Sequence, residues 1–93
     1  MKERTLRKDE KLKRGGEKSS LILFNDEINT FDHVIHSLVE VCGHDSVQAE
    51  QCALIVHLKG KCEIKTGTKE ILQMMSRSLN AKGLNSKVAS PAN

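Results

Sequence analysis

The chain has 93 residues, with 15 Lys and Arg against 12 Asp and Glu, a formal net charge of +3 and only two aromatic residues, both Phe. That is room for one small domain. With no apolar run near the roughly 20 residues that span a bilayer and no apolar secretory stretch at the N-terminus, the chain reads as cytoplasmic with no membrane role.

Residues 1–19 come first and stand apart. They hold eight Lys or Arg against four Asp or Glu, and Leu6 and Leu12 are their large apolar residues after Met1. A stretch this polar buries too little apolar surface to offset its ordering entropy, so it reads as a disordered, charged extension, with Gly15-Gly16 as a joint. Its net charge of +4 leaves the remaining residues near −1. The basic balance therefore belongs to the extension. With no basic face on the domain and no Trp or Tyr for base stacking, nucleic acid is not an expected partner.

Residues 20–89 read as the folded domain. The run SLILFN (20–25) is too short for a helix and predicts a strand buried on at least one face. Asn29 or Thr30 then caps a helix, with Asp32 in its first turn and Phe31, Val34, Ile35, Leu38, Val41 and Cys42 along one stripe. Gly43 ends it. Asp45 or Ser46 caps a second helix with an inward stripe of Ala49, Cys52, Ala53 and Val56. Leu54, Ile55 and Leu58 widen that stripe and predict a helix covered on two sides, and Gly60 stops it.

The alternating KCEIKTG puts Cys62 and Ile64 on one face of a half-buried strand. Thr68 caps a third helix, with Ile71, Leu72, Met75 and Leu79 inward and its end at Gly83. LNSKV alternates again, with Leu84, Ser86 and Val88 on one side, and residues 90–93 form an unanchored tail. The expected architecture is α+β, in the order β-α-α-β-α-β: a three-stranded antiparallel sheet with three helices packed on one face.

The chemistry-bearing residues narrow the function. Three dispersed cysteines, Cys42, Cys52 and Cys62, include no CxxC pair, which points to reduced, mostly buried thiols rather than a disulfide framework. His33 and His36 stand three apart on the first helix, and Cys42 and His44 flank its end. Zinc needs four converging ligands, whereas the cysteines fall on buried faces of different elements. Core thiols and surface histidines are therefore expected, with no metal, no cofactor and no catalytic Cys–His pair. Asn25-Asp26-Glu27, after the first strand, is an ordinary turn composition. His57, near a helix end, reads on its own as a dipole-compensating or core histidine.

Taken together these pieces say more. LILFNDE, then TFDHVI, then QAEQCALIVHLKGK resembles the ClpS family, small adaptors of Clp-type AAA+ proteases, over residues 20 to about 88. The family's Asn-Asp-Asp motif corresponds to Asn25-Asp26-Glu27, its Val-Ile pair to Val34-Ile35, and its His-x-x-Gly to His57-Leu58-Lys59-Gly60. Ala49 falls on a family-typical alanine. The β-α-α-β-α-β order is also the family's fold.

The resemblance implies an adaptor that binds N-degrons, meaning a free α-amino group followed by a large hydrophobic first side chain. It delivers those substrate proteins to a Clp AAA+ unfoldase and catalyses nothing itself. It assigns the α-amino group to Asn25, Asp26, Glu27 and His57. The first side chain goes to a pocket walled by Phe31, Val56, Ala53 and Asn29, with Ile28 and Leu84 beside them. An ammonium with three donors needs such convergent acceptors, because burying it unpaired costs several kcal/mol.

Glu27 is one methylene longer than the family's Asp, Asn29 replaces a usual Thr, and Phe31 and Ala53 replace methionines. Since the methionine at the Ala53 position gates against β-branched first residues, Ala53 implies a looser gate. Glu70 matches a position used in unfoldase docking, but Met75 replaces the lysine expected five residues on. The competing reading is a structural or interaction domain of the same fold, ribosome-associated or a degenerate adaptor. Nothing demands more than a monomer.

Overall fold

The computed structural model describes residues 18–91, so most of the expected extension and the end of the expected tail lie outside the described residues. The elements run β1 (Ser19–Phe24), α1 (Phe31–Cys42), α2 (Ser46–Lys59), β2 (Lys61–Gly67), α3 (Lys69–Ala81) and β3 (Asn85–Ala89). Both neighbours of the central strand β1 are antiparallel to it, in the order β2-β1-β3. The architecture is the expected α+β fold with helices on one face.

Local chemistry sets the boundaries. Thr30 has extended backbone and its hydroxyl accepts the His33 N–H at 3.1 Å, which starts α1. The Asp45 carboxylate does the same for α2, accepting the Gln48 N–H at 2.7 Å. Thr68 stands at the start of α3, but its side chain makes no capping hydrogen bond there. Gly60 ends α2 at φ 91, a left-handed conformation that a Cβ would strain.

The core is aliphatic and lies between sheet and helices: Leu21, Leu23, Leu38, Ala49, Val56, Ile64, Leu72, Leu79 and Leu84 are all buried. β1 alternates buried and half-buried side chains along its length, as a central strand covered on one face should. Ser86 is also buried on the inward side of β3, where its hydroxyl lies 2.8 Å from that of Ser76 and its N–H donates to Asn80 Oδ1 at 2.9 Å. Those bonds satisfy polar groups that would be costly if left unpaired.

The inward stripes are narrower than expected in three places. Leu54, Ile55 and Leu58 of α2 are exposed, Leu58 by 70%, because the sheet and α1 cover only one side of that helix. Ile71 likewise faces outward from α3. In α1, Phe31 is 42% exposed, since it stands at the first position of the helix, beside an open cavity.

His44 corrects the expectation of surface histidines. It is buried, and its Nε2 donates to the Ile64 carbonyl at 2.8 Å. The pairing of β1 with β2 skips Ile64, with Leu21 opposite Lys65 and Ile22 opposite Glu63. A bulge of this kind takes a residue out of the ladder, and His44 supplies a donor for its carbonyl.

Candidate functional site

The cavity grows out of the way β1 ends. Phe24 pairs with Lys61, and one residue on, the Asn25 N–H donates to the Gly60 carbonyl at 2.9 Å. This last rung fastens the end of β1 to the turn that closes α2. Because α2 runs into that turn, His57 sits one helical turn before it, with its side chain exposed on the same side as the residues that follow β1. Residues 32 apart in sequence thus share one cavity.

That cavity has a volume of about 460 Å³, within the usual range for small-ligand and side-chain pockets. Asn25, Asp26, Glu27 and His57 form its polar lining, and Phe31, Val34, Ala53, Val56 and Leu84 its apolar lining. Asn29 lines it as well. Ala53 and Val56 are buried in the face that α2 turns to the core, so their exposed atoms form wall rather than rim.

The Asp26 carboxylate is engaged locally. Its Oδ1 accepts the backbone N–H groups of Ile28 and Asn29, each at 2.9 Å, and its Oδ2 accepts the Asn29 side-chain amide at 2.8 Å. The Asn29 backbone N–H above all, helped by the Asn29 carboxamide and the Ile28 N–H, holds its carboxyl below the usual carboxylate range against the opposing effect of burial. Asp26 is therefore ionised at neutral pH and fixed in direction. A carboxylate offers about four lone-pair sites, so three local bonds leave capacity for one more donor.

Ile28 does not belong to the cavity. It is 89% exposed in the loop after β1 and is not among the lining residues, its N–H being held by the Asp26 carboxylate. Asn29 is present but not as an apolar wall: its carboxamide bonds both Asp26 and the Gly83 carbonyl at 2.8 Å. Leu23, Phe24 and Val34 line the cavity and were not singled out as pocket residues from the sequence. Val34 follows Phe31 by three residues and so shares its helical face, the one signal that could have found it.

Glu70 lies exposed in the first turn of α3, outside the cavity. Among the described residues no cluster of three or more His, Cys, Asp or Glu side chains could hold a metal. The three thiols are free, and burial pushes each up, Cys62 to about 11. Thiols held protonated in this way are poor nucleophiles. No helix among the described residues is long and apolar enough to cross a membrane.

The chemistry on offer is recognition. Hydrogen-bond acceptors and apolar side chains line one cavity of side-chain size.

The family profile of "ATP-dependent Clp protease adaptor protein ClpS" matches residues 16–87. No match was found among curated proteins. In fold the chain is similar to ClpS2 of Agrobacterium tumefaciens, solved bound to L-phenylalaninamide, with a TM-score of 0.76 at 12% identity, covering 81% of this chain and 98% of that one. The family's members are adaptors rather than enzymes, and they work with Clp AAA+ proteases. Since the family match spans nearly the whole folded part, this chain belongs to the ClpS family of Clp protease adaptors.

Proposed function

We propose that this adaptor recognises N-degrons: it binds polypeptides by a free α-amino group and a large hydrophobic first side chain, and hands them to a Clp AAA+ unfoldase. The observation that carries the reading is the joint lining of one cavity by Asn25, Asp26 and His57 together with Phe31, Ala53, Val56 and Leu84. An α-ammonium has three N–H donors and a charge; the Asn25 side-chain oxygen, the Asp26 carboxylate and an unprotonated ring nitrogen of His57 are suitable acceptors. Glu27, exposed at the same cavity, adds a second negative charge at its mouth. An internal residue offers one N–H and no charge, and would leave these acceptors unmatched.

Below the cradle, burying a side chain the size of Leu or Phe contributes about 2–3 kcal/mol. That ClpS2 of Agrobacterium tumefaciens holds an amino-acid amide with a free amine and a phenyl side chain supports the same assignment here. Ala53 leaves room on the α2 wall and Phe31 fills part of the opposite one, which suits Leu and Phe and admits Ile or Val. The exposed Glu70 is the proposed contact to the unfoldase.

Fluorescence-anisotropy titration tests the proposal. A Leu-initiated peptide should bind at least about ten-fold more tightly than its N-acetylated twin, and Asn25→Ala should remove most of that difference while the protein stays folded. Equal binding of both peptides by the unaltered protein would refute it and leave an adaptor that does not read chain termini.

A further inference from the structure

We infer that Asn29 is a positioning residue for the amine cradle, a polar clasp that fixes the Asp26 carboxylate and ties the cavity's loop to the turn between α3 and β3. The inference rests on the amine-receptor reading above and adds to it the part that aims the carboxylate. Asn29 is the donor throughout. Asn29 gives its backbone N–H to Asp26 Oδ1 and one side-chain N–H to Asp26 Oδ2, and its other side-chain N–H goes to the Gly83 carbonyl 54 residues away. With two donors, the carboxamide nitrogen is fully used.

Gly83 is held at φ 93, and its neighbour Leu84 forms part of the apolar hole. The preceding Lys82 carbonyl is taken by His33 Nε2 at 2.8 Å, so two successive carbonyls after α3 dock onto the cavity loop and the first turn of α1. Both belong to the turn that follows α3 and are paired by side chains from the other side of the cavity. One side chain therefore joins the charged part of the cavity to an element that supplies its apolar wall. An apolar residue of the same shape at position 29 would enlarge the hydrophobic surface and keep the two backbone bonds to Asp26 Oδ1, yet it would leave Oδ2 without its partner and free the loop to part from Gly83.

Asn29→Leu separates the clasp from the wall, because the two side chains are nearly the same size. As a clasp, Asn29 is missed: free-amine Leu peptide binds about ten-fold or more weakly to the variant, and the ratio of free-amine to N-acetylated affinity collapses. As mere wall, the variant binds both peptides as well or better. A second measurement needs no peptide. ¹³C-detected NMR titration of the Asp26 carboxyl in the full chain should show its midpoint moving upward in Asn29→Leu. His33, Glu27 and His57, the titratable groups around it, are the same in both proteins.

If the Leu variant does not fold, Asn29→Ala is read by the Asp26 midpoint and by the ratio of free-amine to N-acetylated affinity, because lost wall alone weakens both peptides alike. Retained amine discrimination or an unmoved Asp26 midpoint overturns the inference. Failure of the unaltered protein to distinguish the two peptides overturns instead the reading on which it rests.

Discussion

At the scale of single residues the site depends on where three polar groups are allowed to point. Asp26 is held by three local hydrogen bonds, and its carboxyl lies below its ordinary value of 3.8. The sign of its contribution follows from that direction: stability from these bonds is fully present above the ordinary value and is lost as pH falls through the lower, folded one. Asp26→Ala should therefore lower the melting temperature at pH 7 and make almost no difference near pH 2, as circular-dichroism melts at the two pH values would show. Equal losses at both would mean that the carboxylate's charge is not what organises the loop. His57 is exposed at the cavity, in the last turn of α2. His57→Lys should leave stability within about 0.5 kcal/mol yet abolish binding of free-amine peptides, since it sets a cation against an ammonium. An unchanged affinity in the titration would remove His57 from the cradle.

At the scale of elements, the cavity depends on the hydrogen bond from the end of β1 to the turn after α2. Gly60 makes that turn at φ 91, and a Cβ there would touch nothing within 4 Å. The cost of Gly60→Ala is thus backbone strain alone, about 1–2 kcal/mol, measurable as a shift of the urea midpoint; a variant as stable as the original would deny the turn its strained conformation.

The same elements mark what a sequence can and cannot carry. Thr30, Asp45, Gly43 and Gly60 announce helix ends through short-range chemistry, and period-two alternation places Cys62, Ile64 and Ser86. Amphipathic stripes fared worse on α2, because a helix period cannot tell one covering layer from two, and a domain this small has no second layer for Leu54, Ile55 and Leu58. The meeting of Asn25 with His57 left no local trace and was legible only through the likeness to a family. The clasp of Asn29 on Gly83 was not legible at all, since a hydrogen bond across 54 residues leaves no pattern of spacing.

At the scale of the whole molecule, one aliphatic core supports the cavity from below. Leu38 and Leu79 are fully buried within it, so Leu38→Ala should cost about 2–5 kcal/mol, enough to unfold much of a small domain. Burial also holds the three thiols above their ordinary value of 9.0. Iodoacetamide at pH 8 should therefore label the folded chain at least about ten-fold more slowly than the urea-unfolded chain. A thiol labelled at the unfolded rate would place a reactive group where the structure has a packed one.

The account stands on the cavity's two halves acting on one ligand. A crystal structure with L-phenylalaninamide tests that most directly. The phenyl ring should enter between Phe31, Ala53, Val56 and Leu84, with the ammonium within hydrogen-bond distance of the Asn25 side-chain oxygen and the His57 ring. An amine turned to solvent, or a ligand seated elsewhere, would contradict it.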